Sequence, residues 1–325
     1  MSGARKGIGI AGSILVDKIC EVSAYPTEGE LTKIRHIQYA TGGCVPNVAV
    51  DIKKILPELE VFAIGKIGND GEGEFILKSL SDGGVNTSMI RRGEGRTSFT
   101  DVVSVKGGQR TFFSYPGASA EFGLSDMDFD SLEVKMLHLG YFLLLDKIDS
   151  GDGERILKAA AERGIKTSID LVSENSDRYA LVLPCLKYTD NLIINETEAG
   201  MLTGIAPANE SLGAIAERLM ELGVKERVII HKPDVSICLS RKGFTAVASY
   251  MLPDGFIKGT TGAGDAFCAG ALIGIYEEKS DKEILEFASS AAVMALTEAD
   301  ATGGVQSAEN TVSFCRGLNR RKLCL

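Results

Sequence analysis

Short apolar runs alternate with amphipathic stretches along most of the chain. Residues 8–10, 61–65, 136–139, 167–170, 192–195 and 228–231 are brief runs rich in aliphatic and β-branched side chains. They are too short for helices and predict strands buried on both faces. Residues 48–56, 73–82, 154–163 and 212–222 carry helical spacing; the second is stopped by Gly83-Gly84 and the third by Gly164. This alternation predicts an α/β fold, with a mostly parallel central sheet between two layers of helices. Two segments break the rhythm, 17–40 and 97–115. Val102, Ser104 and the run Thr111, Phe112, Phe113 suit antiparallel strands. The two segments are expected to form one small sheet that projects from the core as a lid, with extra edge strands on the main sheet as the other arrangement. No internal repeat or low-complexity linker divides the 325 residues, so one domain with a β lid is expected.

Composition narrows the class. With 44% hydrophobic and 24% charged residues, the chain is an ordinary candidate for a large packed core. The 35 basic and 44 acidic residues leave a net charge of −9, which disfavours bulk attraction to nucleic acid or an anionic membrane. Seven widely spaced cysteines without a CxxC read as reduced thiols rather than a disulfide frame or zinc site. With no apolar signal core near the N-terminus and no run long enough to span a bilayer, a cytoplasmic location is expected.

Two motifs mislead. Gly7-Ile8-Gly9-Ile10-Ala11-Gly12 fits GxGxxG, but its glycines fall within the first strand instead of between a strand and a helix. Asp126-Met127-Asp128-Phe129-Asp130 opens like a calcium loop, yet Ser131 and Leu137 stand where Gly and Glu are required. No GxxxxGK[ST] is present.

The chemistry concentrates in Gly259-Thr260-Thr261-Gly262-Ala263-Gly264-Asp265, which leads into a run of small and apolar residues through Tyr276. That run predicts a buried helix. The amides of Gly262, Ala263, Gly264 and Asp265 would then point outward at its N-terminus, where backbone N–H groups and the helix dipole favour an anion. Asp265 at that point is either a helix cap or a base. The small residues before it leave room for a phosphate, and a carboxylate beside an anion hole suits removal of a hydroxyl proton during phosphoryl transfer.

This segment resembles the second signature of the PfkB, or ribokinase-like, family of carbohydrate and nucleoside kinases. Gly42-Gly43-Cys44-Val45-Pro46-Asn47-Val48-Ala49 is similar to the first signature. The G-x-x-G-x-D-x-x-G run from Gly65 to Gly73 and the NxxE motif Asn195-Glu196-Thr197-Glu198 follow in the family's order. The resemblance implies a three-layer α/β/α sandwich with a small β lid, which often also forms a homodimer contact. It implies Asp265 as catalytic base and Gly262, Ala263 and Gly264 as the anion hole. Asp17, Gly42, Gly43, Asn47 and Arg110 would contact the substrate. Asn195, Glu198, His231, Lys232 and Ser289 would serve the nucleotide, with Glu198 reaching Mg²⁺ through water. ATP is the implied co-substrate and a small sugar the implied acceptor.

Three departures lie on the nucleotide side. Gly259 stands where many members carry an Asp that helps bind a monovalent cation, so potassium activation stays open. Pro233 and Ser236, in the stretch 230–236, replace glycines of a T-x-G-x-x-G nucleotide loop, and proline removes an amide donor. Ser289 replaces an asparagine. The strand around Leu137-His138-Leu139-Gly140-Tyr141-Phe142 also lacks the carboxylate expected of a ribose-specific member. Tyr141, Phe142 or Tyr115 is free to stack on a sugar or base, or to pack in the core. The expected function is phosphorylation of a sugar hydroxymethyl group. A nucleoside kinase and a non-catalytic sugar-binding relative are the alternatives.

Overall fold

The computed structural model describes residues 5–105, 110–174 and 176–325. Thirteen strands occur among them. The first seven are β1 (Ile8–Gly12), β2 (Leu15–Val22), β3 (Ile34–Gly42), β4 (Val61–Ile67), β5 (Asn86–Arg92), β6 (Ser98–Val105) and β7 (Arg110–Tyr115). The rest are β8 (Met136–Phe142), β9 (Lys166–Leu171), β10 (Asn191–Asn195), β11 (Arg227–His231), β12 (Val235–Ser240) and β13 (Gly243–Ala248).

Nine strands form one sheet in the order β13-β12-β11-β10-β9-β8-β1-β4-β5. It is parallel except at β12 and β13, which add an antiparallel edge. On one face Ile8, Ile10, Val48, Ile52, Leu272 and Ile284 belong to a core shared with the Cys44–Ile55, Ala263–Tyr276 and Asp281–Ala295 helices. On the other, Leu137, Leu139, Ile156, Ile194 and Leu219 pack with the Gly153–Glu162, Glu196–Thr203 and Leu212–Glu221 helices. Burying each such side chain contributes about 1.5–3 kcal/mol, so the sandwich holds the strand ends rigidly. The expected three-layer α/β architecture is the one observed.

The chain winds outward from β1 in both directions, through β4 and β5 on one side and β8 to β11 on the other. Parallel sheets of this kind leave a crevice at the carboxyl ends of the strands where the winding reverses. Gly12, Tyr141, Asp170, Asn195 and His231 all lie at or near those ends.

The segments 17–40 and 97–115 meet in a second sheet, ordered β3-β2-β6-β7. Residues 106–109, including Gly108 and Gln109 beside Arg110, lie outside the described residues. The strands differ from the expected antiparallel arrangement in one respect: β2 and β6 run parallel. The connection between them passes through the main sheet at β4 and β5, so both strands leave the core in the same sense. Among the described residues, no helix is long and apolar enough to cross a membrane.

Candidate active site

Asp265 lies at the third position of the Ala263–Tyr276 helix, whose N-cap is Gly262. The side chain makes no cap bond and turns inward, with 5% of the residue exposed. Asn47 Nδ2 donates to its Oδ2 at 2.9 Å, and the Tyr141 hydroxyl lies 3.0 Å from both carboxylate oxygens. Burial, then the negative charge of Asp170, pushes the Asp265 carboxyl up to about 7, against the pull of those two hydrogen bonds. The cap alternative is thereby excluded: the carboxylate is spent on neighbours from other elements.

Two cavities flank the turn before this helix. The smaller, about 190 Å³, is bordered by Asp265, Tyr141, Asp170 and Glu198. The larger, about 710 Å³, is bordered by Lys232, Tyr250, Thr260, Ser289 and Arg321. Asn195, His231 and Gly264 line both, so the cavities adjoin at the helix N-terminus.

The amides of the turn are not equivalent. Ala263 N–H is folded back onto the Thr260 carbonyl at 3.3 Å. Those of Gly262, Gly264 and Asp265 make no backbone bond among the described residues. The turn is therefore a cradle of three donors rather than the expected four.

Asn195 and Glu198 form a capping box at the start of the Glu196–Thr203 helix. Ser173 Oγ and Asn195 Nδ2 each donate to Glu198 Oε1 at 2.7 Å. Burial above all pushes the Glu198 carboxyl up to about 7. Capping here does not compete with a cavity role, because Glu198 also borders the smaller cavity.

Asp17, on β2, is pushed up to about 6 by burial, an effect opposed by the Arg110 guanidinium. Gly42 lies so close to this carboxylate that a methyl group on it would fall 2.8 Å from Asp17 Cγ. Gly43 is the N-cap of the Cys44–Ile55 helix that carries Asn47. Arg110, from β7, reaches back to the turn: it donates to Thr261 Oγ1 and to the Ala299 carbonyl, the latter at 3.1 Å.

The nucleotide-side residues 231–236 lie around a tight turn at the border of the larger cavity. Residues 230–236 are a hairpin: β11 runs to His231, Lys232 N–H donates to the Val235 carbonyl, and β12 returns antiparallel. Pro233 sits in the turn, where its missing amide costs no ladder bond. Burial holds His231 down at about 4, so its imidazole is neutral at pH 7. Its ring packs 4.6 Å from that of Phe267. Ser289 Oγ bonds the Leu285 carbonyl. Gly259 lies against the 298–299 backbone, with a hypothetical methyl 2.9 Å from Ala299 Cα. A side chain there would require the 298–299 backbone to shift.

Of the aromatic candidates, Phe142 is core and Tyr115 stacks on Phe99 at 5.2 Å. Tyr141 reaches the site. Asp170 was legible only as the polar end of a strand run; its place at a carboxyl end is the signal that would have flagged it.

Fold, crevice and comparison define the class: a phosphotransferase with an alcohol group as acceptor, acting on carbohydrate. The chain belongs to the pfkB family of carbohydrate kinases, which it matches over residues 8–308. It is 27% identical to a ribokinase of Arabidopsis thaliana over 287 residues, covering 87% of this chain and 74% of the relative. A ribokinase of Haemophilus influenzae is 26% identical over 319 residues, covering 95% and 98%. Among solved structures, an Arabidopsis thaliana ribokinase complexed with ribose and ATP superposes with a TM-score of 0.82 at 24% identity, covering 95% of this chain and 98% of the other.

Proposed function

We propose that the chain transfers the γ-phosphoryl group of ATP to a hydroxymethyl group of a small sugar or sugar derivative, with Asp265 as the base. The observation that carries this reading is the buried, elevated Asp265 carboxyl beside unbonded helix-start amides, where two cavities adjoin. The larger cavity takes the nucleotide, against His231, Lys232 and Ser289. The smaller holds the reacting groups. Asp17, Gly42, Gly43, Asn47 and Arg110 bind the acceptor from the other side of Asp265.

As the acceptor hydroxyl attacks, its proton passes to Asp265. The amides of Gly262, Gly264 and Asp265 receive the charge on the transferring group, aided by the helix dipole. Phosphoryl transfer draws mostly on such positioning and charge stabilisation. Asn195 and Glu198 offer oxygen donors at the border of both cavities or of the smaller one, which fits a magnesium ion held through water. That ion would neutralise phosphate charge.

The test is ADP release over a panel of sugars and nucleosides. Turnover on a sugar supports the proposal; turnover on nucleosides alone, or sugar binding without ADP, replaces it. The base assignment also predicts a pH profile. Asp265 must be ionised to accept a proton, so kcat/KM is expected to fall about tenfold per unit below a limb near pH 7. Steady-state kinetics from pH 5.5 to 9 check this.

The second sheet acts as a lid over the acceptor and as the contact for a second copy of the chain. Its outer strands β3 and β7 expose Ile37, Tyr39, Phe112 and Phe113, a larger apolar display than scattered surface residues give. Sedimentation is expected to give twice the 34.6 kDa chain mass, and Phe113→Asp to give the single-chain mass.

A further inference from the structure

Tyr141 departs from the regular strand in three respects. It has φ 59°, a left-handed conformation that aromatic residues seldom adopt. The β8–β9 register shifts between Leu139 and Phe142, where three steps on β8 oppose two on β9. Its N–H donates to Asp170 Oδ1 at 2.6 Å.

Strict alternation along β8 would send Tyr141 to the face of Leu137 and Leu139, and Phe142 to the opposite one. Instead Phe142 packs in one core with Leu137 and Leu139, whereas Tyr141 packs against the other, beside the Ala263–Tyr276 helix. A bulge re-aims a side chain in this way. Backbone strain of this kind persists only where surrounding bonds fix it, and Asp170 supplies one.

The re-aimed hydroxyl lands 3.0 Å from each oxygen of Asp265, while Asn47 reaches Oδ2 alone. Oδ1 therefore has no other side-chain donor among the described residues. The phenol is the donor here: burial and the charges of Asp265 and Asp170 push it well above its ordinary value.

We propose that Tyr141 is the positioning residue for the base, a bulge-borne hydroxyl that orients the Asp265 carboxylate and stabilises its ionised form. Asp170 has a double part: it anchors the Tyr141 backbone through Oδ1 and opposes ionisation of Asp265 by its charge. The inference rests on Asp265 being the base.

The charged and titratable surroundings of Asp265 are these. Cys44 and Asp51 face it from the Cys44–Ile55 helix, and Asp17 from β2, itself beside Arg110. Cys268 lies on its own helix, contacting buried His138 of β8, and Asp170 comes from β9. Glu198 and His231 border the same cavity, and neither is bonded to Tyr141. Among these groups, only Asp265 carries a direct Tyr141 hydroxyl bond.

The test compares the acid limb of kcat/KM in the full chain and two variants. Tyr141→Phe keeps the ring and deletes the donor, so the limb is expected to move up by about one pH unit, a tenfold loss at pH 6 that shrinks by pH 9. Asp170→Asn keeps an acceptor for the Tyr141 amide but removes the charge, so the limb is expected to move down. An unmoved limb in Tyr141→Phe, with KM alone changed, overturns the proposal, as does a shift in the same direction in both variants. If Tyr141→Phe does not fold, 3-fluorotyrosine placed at position 141, a stronger hydrogen-bond donor, decides: the limb is expected to move down, and an unmoved limb overturns the proposal. A limb that persists in Asp265→Asn instead removes the base assignment itself, and so separates the two failures.

Discussion

Asp265→Asn is expected to lower kcat by at least about a hundredfold with the fold intact, the scale of a general-base contribution. The amide is the same shape as the carboxylate. Its oxygen still accepts from Asn47 or Tyr141, so the site keeps its packing while losing its proton acceptor. Stability gives an independent sign. The folded Asp265 carboxyl lies near 7, above the ordinary 3.8. Between these values the unfolded chain binds fewer protons at this group than the folded chain does. Stability therefore falls as pH rises through that window, and the full penalty is present above about 7. The variant is expected to melt higher than the parent at pH 8, with the difference vanishing towards pH 4. Turnover within a few fold of the parent would remove Asp265 from the role. A lower melting point at pH 8 would show that the carboxylate is held by partners stronger than those described.

Gly262→Ala is expected to be nearly as severe, for a different reason. Gly262 has φ 79°, and a methyl group on it would meet the Ala301 carbonyl oxygen and lie 2.6 Å from Ala301 Cα. Neither partner is a side chain that can swing away. Left-handed backbone at a non-glycine residue costs about 1–3 kcal/mol, and the clash adds to it. The turn must open, which displaces the amides of Gly264 and Asp265. Activity is expected to fall by about a hundredfold or more, with a lower melting temperature. Gly264→Ala separates the causes: a methyl there meets only His231 Cε1, at 3.9 Å. That variant is expected to keep its melting temperature and lose activity, because the methyl projects where the phosphoryl group passes. Full activity in Gly264→Ala would place the anion elsewhere.

These expectations draw unequally on sequence and structure. The turn from Gly259 to Asp265 was readable because its parts are neighbours in the chain: a helix start gathers its own amides whatever it packs against. The Asn195–Glu198 capping box was readable for the same reason. Asp17, Asn47 and Arg110 were readable only through family resemblance, since their partners lie on other elements. Asn47 meets Asp265 from 218 positions away, and Arg110 meets Thr261 from 151. The turn at 232–234 was readable as a loop, but not the strand that follows it: β12 exists through its pairing with β11 and β13, which composition at 230–236 does not reveal.

Short windows of the chain were enough to specify the alternation of most core strands and helices, the sandwich they build, and the chemistry of one glycine-rich helix start. Those follow from period, composition and local backbone geometry. The tertiary structure alone decided the protonation and aim of the base. A carboxyl rises to about 7 only when other elements strip its water and bring Asp170 close. A tyrosine crosses to the opposite face of its sheet only when a register shift between neighbouring strands turns it there. Burial and inter-strand register are properties of the assembled chain, and no window of residues contains them.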